Sequence, residues 1–390
     1  MSSKKRIGFL ATAVALIIVV GYLTANQSQS ESPQAVVSPI SSPITSPEPK
    51  LRSISIVSSG DILLHERLWA QAKADGVDGN WDFYPQLADL EPVISSADLA
   101  LCHLETPLAE LGVDYQGYPT FNSPPQITEA ITNLGFDMCG TASNHSLDQG
   151  FAGLTRTIKT LEAAGIPYTG TANSAEDASQ PLVMDVQTAN GVVKVGILSY
   201  TYGFNGFERD ADKLWSANLI DPVAIIAEAK LARSQGAEIV IAKMHWGDEY
   251  TNKANEFQTS VAQELADSGQ IDLIDGSHSH SVQPITQIGN TWIAYSHGNF
   301  VAAQREPTTI KSEGLVTRWE FVESASGGFK LSCVKEVPTL IRDDRPVRVI
   351  DVNKALQTGE YFGETKNRLE KAKARTDETV RALGFTQFCN

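Results

Sequence analysis

From Leu51 onward the chain alternates short apolar runs with amphipathic stretches, and this alternation constrains the fold more than any other feature. Residues 53–58, 99–102, 136–140, 192–200, 238–244, 271–275 and 291–295 read as strands. Between them, residues 151–164 place Phe151, Leu154, Ile158 and Leu161 on one helical face, and residues 222–234 and 256–268 behave alike. Gly135 and Gly165 stand where helix C-caps fall. The Asn190-Gly191 pair is a two-residue turn signal and predicts a hairpin over 183–200. Strand–helix–strand alternation implies an α/β sheet with short loops at the strand ends.

The ends of the chain read differently. Lys4, Lys5 and Arg6 precede an apolar, charge-free run that ends at Ala25. Nineteen such residues reach roughly 28 Å as a helix, enough to span a hydrocarbon core. Residues 1–25 are therefore expected to form a single-pass anchor with the basic flank in the cytoplasm and the remainder outside. A cleaved signal peptide, ending near Leu23-Thr24-Ala25, is the competing expectation and would leave a secreted protein. Residues 26–50, rich in Ser, Pro and Gln, read as a disordered linker, residues 51–350 as the main domain, and 351–390 as a charged helix with a tail.

The net charge of −15 argues against a nucleic-acid binder, which needs a basic face. Four cysteines without a Cys-x-x-Cys pair exclude a zinc ribbon and a disulfide-dense miniature fold. Cys102 and Cys139 end neighbouring expected strands and read as buried. A Cys333–Cys389 disulfide is permitted outside the cytoplasm, but a large core leaves no need of one.

Histidine carries the chemical signal. Of seven, His65, His103, His245, His278, His280 and His297 stand close to the C-terminal end of an expected strand, and His145 follows one by a longer loop. In an open α/β sheet those ends form one ligand-binding rim. Asp61 follows Gly60 after the first strand, and Glu105 follows the second. Asn144-His145 pairs an amide oxygen able to ligate a hard cation with an imidazole able to donate a proton. His278-x-His280 lets two rings reach one site. Together these form a metal-site composition.

In this order, the segments resemble two nested families: the calcineurin-like metallophosphoesterases and, more narrowly, the bacterial capsule-synthesis CapA (poly-γ-glutamate biosynthesis) family. The narrow resemblance rests on Gly60-Asp61, Leu104-Glu105-Thr106-Pro107-Leu108, Asn144-His145-Ser146-Leu147-Asp148-x-Gly150, His245-Trp246-Gly247-x-Glu249-Tyr250, His278-x-His280 and Tyr295-Ser296-x-Gly298-Asn299-Phe300. It implies a four-layer αββα sandwich (α+β) of metallophosphoesterase type. It also implies two divalent cations (Mn, Fe or Zn). Asp61 and His280 would hold one, Asn144, His245 and His278 the other, with Glu105 between them and His145 as proton donor. The broad family's Asp-x-His is absent, and His65 is a candidate substitute. His103, His297 and Glu249 are candidate extra ligands or pocket residues. Tyr202, Asn205, Trp246 and Asn299 are candidate substrate contacts, with core packing open for Trp246.

The implied function is a metal-dependent phosphoesterase-like hydrolase that makes, exports or trims an anionic surface polymer beside synthase or export subunits. A non-catalytic accessory subunit of such a complex, or a metal-dependent γ-glutamyl amide hydrolase, remain as alternatives.

Overall fold

The computed structural model describes residues 50–304, 309–342, 344 and 346–389. The anchor expected at 1–25, and all but the last residue of the linker expected at 26–50, lie outside the described residues. Among the described residues no helix is long and apolar enough to cross a membrane.

The strands build two sheets. The first contains β1 (Ser53–Ile62), β2 (Leu99–Leu104), β3 (Met138–Gly140) and β4 (Tyr168–Thr169), all parallel. The second contains β5 (Leu182–Thr188), β6 (Gly191–Thr201), β7 (Ile239–Trp246), β8 (Leu273–His278), β9 (Ile285–Ile288) and β10 (Thr291–Ala294), in the order β5-β6-β7-β8-β10-β9. Its inner strands are parallel and its two edges antiparallel. The chain then returns to the first sheet. There β11 (Asn299–Val301) lies beside β1, while β12 (Glu313–Glu323), β13 (Phe329–Arg342) and β14 (Arg348–Asp351) extend the sheet from β1.

A period of two along each strand sorts side chains between faces. Ile54, Ile56, Leu99 and Leu101 meet Val193, Val195, Ile197, Ile239 and Ile241 in a core between the sheets. Their neighbours Val57, Ala100 and Cys102 face outward against Leu68 of helix Glu66–Asp75, Ile131 of helix Ile127–Leu134 and Leu161 of helix Gly150–Ala163. Leu198, Val240 and Ala242 face outward from the second sheet, against Ile225 of helix Pro222–Ser234 and Val261 of helix Glu256–Asp267. The result is a mixed α/β sandwich of two sheets with helices on the outer face of each.

The seven expected strands, the hairpin at Asn190-Gly191 and the three expected helices are present. Gly135 takes the left-handed conformation (φ 88°) that its cap requires. Strands β12 to β14 were not expected from sequence. Arg318 and Glu320 interleave with the buried Thr317, Trp319 and Phe321, so no continuous apolar run marks β12. The segment after Asp351 forms two helices, Val352–Thr358 and Gly363–Val380, and Val380 and Phe385 reach the core between the sheets.

The reading that a large core dispenses with disulfides is corrected. Cys102 and Cys139 are register partners on β2 and β3 with Cα atoms 4.5 Å apart, and they are joined. Cys333 and Cys389, at 5.0 Å, tie the tail to β13. Strand register brings Cys102 to Cys139, and the bridge of Phe388 to Val334 brings Cys389 to Cys333, whatever the core supplies.

Candidate metal centre

The C-terminal ends of β1, β2 and β3 from one sheet face those of β6, β7 and β8 from the other, and the polar residues meet in the gap. Gly60 permits the first step. A Cβ there would lie 1.9 Å from the Gly298 carbonyl, so only glycine lets β1 run against the loop before β11 and deliver Asp61. Asp61 Oδ2 accepts a hydrogen bond from the His278 backbone N–H at 3.0 Å, across the two sheets. It lies 3.5 Å from His280 Nδ1, and its Oδ1 lies 3.7 Å from His245 Nδ1. Glu105 Oε1 is 3.9 Å from both His245 Nε2 and His280 Nε2, and 4.0 Å from His145 Nε2. Asn144 Oδ1 lies 2.9 Å from His245 Nε2. Asp61, Glu105, Asn144, His145, His245, His278 and His280 are thus brought together, all buried.

The backbone is bent to serve this cluster. Among the described residues five non-glycines have positive φ, and four of them (Asn205, Tyr250, His278 and His280) border it. Such conformations cost energy and gather at functional sites.

Glu105 Oε1 and Oε2, Asp61 Oδ1 and His278 Nδ1 are buried without a hydrogen-bond partner. Burial and the neighbouring Asp61 push the Glu105 carboxyl well above its ordinary range. Burial drives His245 far down and His278 to about 3, with the nearby His280 adding to both effects. His280 is raised to about 9 against its burial because Glu105 and Asp61 face it. Burial would raise Asp61 too, but His280 and His103 outweigh it and hold its carboxyl low. Acceptors crowded together without donors are what a divalent cation would satisfy, and the mixed imidazole, carboxylate and amide set fits one. Ligand atoms of Asp61, Glu105 and His280 lie within 4.8 Å of one another, as do those of Glu249, His278 and His280. Glu249, exposed at the mouth, is the member of that second group open to solvent.

Other expected site residues fall elsewhere. His65 stands apart from these ligand groups. Its Nδ1 lies against the Leu63 carbonyl (3.2 Å) and the Ala303 N–H (3.3 Å). His297 is no ligand, because its Nδ1 faces Asp275 Oδ1 (3.0 Å) and its Nε2 faces Thr317 Oγ1 (2.8 Å). Trp246 is fully buried and donates its indole N–H to the Tyr295 carbonyl, so it packs and reaches no substrate. Asn299 is also buried; its Oδ1 steadies His280 Nδ1 at 3.0 Å rather than meeting a substrate. Tyr202 and Asn205 do border the cluster. The Tyr202 ring lies 4.5 Å from that of His278, and Asn205 Oδ1 accepts from Asn144 Nδ2 at 3.2 Å.

Two features escaped the sequence reading. Asp148 looks like a helix cap, yet its Oδ2 holds His145 Nδ1 at 2.7 Å and also accepts the Phe121 N–H. Lys243 forms a fully buried ion pair with Asp275 beneath the rim. Its signal was a lone lysine inside the apolar stretch of β7.

Fold and rim together define a class: a two-sheet α/β sandwich carrying an imidazole–carboxylate site suited to divalent cations. The chain belongs to the bacterial capsule synthesis protein PGA_cap family, whose profile matches residues 55–304. It is similar to the PGA biosynthesis protein CapA of Bacillus subtilis (strain 168), with 23% identity over 83% of this chain and 79% of that protein. It is similar also to the capsule biosynthesis protein CapA of Bacillus anthracis, with 30% identity over 58% of this chain and 56% of that one. Among solved structures it resembles the calcineurin-like phosphoesterase YfkN of Bacillus subtilis, with 15% identity, a TM-score of 0.44, and coverage of 83% of this chain and 100% of that one.

Proposed function

We propose that this protein is a membrane-tethered, extracytoplasmic hydrolase of phosphoesterase type that uses two divalent cations to make, export or trim an anionic surface polymer. Membership of the capsule-synthesis family and the names of its Bacillus relatives support the polymer context. The observation that carries the enzymatic reading is the His145 arrangement. Its Nδ1 is held at 2.7 Å by Asp148, and its Nε2 points to within 4.0 Å of Glu105 in the ligand cluster. A purely structural metal site has no use for an oriented imidazole beside it.

In this reading Asp61 and His280 would hold one cation and Asn144, His245 and His278 the other, with Glu105 within reach of both sets. Two such ions supply Lewis-acid polarisation of a substrate oxygen and acidify water. His145 delivers a proton from Nε2 to the departing oxygen, and Asp148 fixes the ring and steadies its charge. Asn299 and Ser277 hold His280 and His245 by their Nδ1 atoms, each at 3.0 Å, and so aim their Nε2 atoms inward. Tyr202, Asn205 and Glu249 line the entrance, where the polymer would arrive. On this reading the anchor expected at residues 1–25 would keep the protein at the membrane, beside synthase or export subunits.

The test is turnover of bis(4-nitrophenyl) phosphate and of poly-γ-glutamate by the purified full chain with Mn²⁺. Phosphodiester cleavage that His145→Ala abolishes, with metal retained, is the expected result. Cleavage of polyglutamate alone assigns amide hydrolysis instead. Bound metal with neither activity assigns an accessory role.

A further inference from the structure

One residue at the rim is left unexplained by the two cation positions just described. His103 lies in β2, two residues before Glu105, and so projects to the same side of the strand one step deeper. It is the register partner of Asp61 on β1. The side chain is buried, and neither ring nitrogen has a hydrogen-bond partner. Buried imidazoles ordinarily satisfy at least one nitrogen, as His297, His245 and His280 do here.

Its surroundings are those of a ligand. His103 Nε2 faces Asp61 Oδ1 at 3.9 Å, and that oxygen is itself without a hydrogen-bond partner. The ring stacks on His245 with centroids 4.7 Å apart and planes 17° from parallel. Ligand atoms of Asp61, His103 and His245 all lie within 4.8 Å of one another, and since His245 serves the second cation in the reading above, Asp61 and His103 are the pair this group leaves to the first. The separation from Asp61 is too long for a hydrogen bond. Two atoms that share a tetrahedral ion through bonds of roughly 2.0–2.2 Å stand about 3.3–3.6 Å apart, which a small inward shift of either side chain reaches.

We propose that His103 is a protein ligand of the cation held by Asp61, supplying the imidazole that the first strand of this chain lacks. The inference rests on the metal-dependent reading above and adds a ligand to it. It also accounts for histidine at position 103, where the ring occupies a buried place with nothing else to bind. The two unpartnered groups, Asp61 Oδ1 and His103 Nε2, are satisfied by one ion.

Cadmium-113 binding to the full chain carrying ¹⁵N-labelled imidazoles reads the bond directly, alongside Mn²⁺ titration calorimetry of wild type, His103→Ala, His103→Asn and His278→Ala. The expected result is a ¹¹³Cd–¹⁵N coupling assigned to His103, with one binding step weakened by about 10–100-fold in both His103 variants. A melting profile of the metal-free variants identifies any that fail to fold, and the coupling in the wild type does not depend on them. Couplings at other histidines but none at His103, with unchanged titrations in its variants, overturn the proposal and leave the metal-dependent reading intact. A wild-type chain that binds no divalent ion overturns both.

Discussion

Replacing Glu105 by Gln separates the folding role of this carboxylate from its proposed metal role, because the two have opposite signs. Both carboxylate oxygens are buried without a partner, with Asp61 beside them. An unsatisfied buried polar group costs about 1–3 kcal/mol. Glutamine keeps a polar amide there but cannot ionise beside Asp61, so relief of the charge cost stabilises the metal-free fold by up to about that amount, a rise in Tm on the order of 2–6 °C for a domain of this size. His280 keeps Asp61 at 3.5 Å in the variant but loses the charge of Glu105, the larger of the two influences that raise it, which offsets part of the gain. The pH dependence follows from the raised pKa of Glu105. Below the unfolded value near 4.5 the carboxyl is protonated in both states and costs nothing extra. As pH climbs toward the raised folded value, the unfolded chain ionises first, and the penalty on the folded state grows. The gain from Gln is therefore larger at pH 8 than at pH 5. Metal reverses the ranking. Wild type gains about 2.7 kcal/mol per site at a hundredfold excess over Kd, whereas the variant, lacking the shared carboxylate, gains little. Thermal melts from pH 5 to 8.5, with EDTA or Mn²⁺, measure all of this. A metal-free variant that melts below wild type, or one that keeps the full Mn²⁺ gain, refutes the reasoning.

Other expectations follow from the same geometry. His145→Ala and Asp148→Asn each lower phosphodiester turnover by about 10²–10⁴-fold while metal content, read by plasma mass spectrometry, stays at the wild-type level. Lys243→Met leaves the buried Asp275 with only His297 against it, costing up to about 3–5 kcal/mol in urea unfolding, and Lys243→Met/Asp275→Leu recovers much of it. Gly60→Ala forces β1 away from the Gly298 carbonyl and displaces Asp61, so calorimetry shows weakened metal binding in a chain whose circular dichroism is unchanged.

The rim was legible in the sequence because its residues follow apolar strands, and strand ends in an α/β sheet share one edge. The spacing of His278 and His280 says little alone; it gained chemical meaning beside His245, Asn144-His145 and the strand-end carboxylates Asp61 and Glu105. What could not be read was contact between the sheets. Strand periodicity does not say that Asn144 meets His245, which only the family resemblance put on one cation, or that the His278 backbone reaches Asp61, since those pairs cross from one sheet to the other. For the same reason the sequence leaves His297 as a candidate ligand or pocket residue, whereas Asp275 and Thr317 claim its ring. Trp246 belongs to a motif that faces the site, but the period of two turns its side chain away from His245 into the outer core. Asp148 was hidden by a generic helix-start pattern. The strands after Glu313 were hidden by charges that alternate with their buried positions.

Anomalous diffraction from crystals of the protein soaked in Mn²⁺ tests the central claim most directly. Two peaks roughly 3.5–4 Å apart, ringed by Asp61, Glu105, Asn144, His245, His278 and His280, are the predicted result. A rim without density, or manganese bound only at other surfaces, contradicts the account.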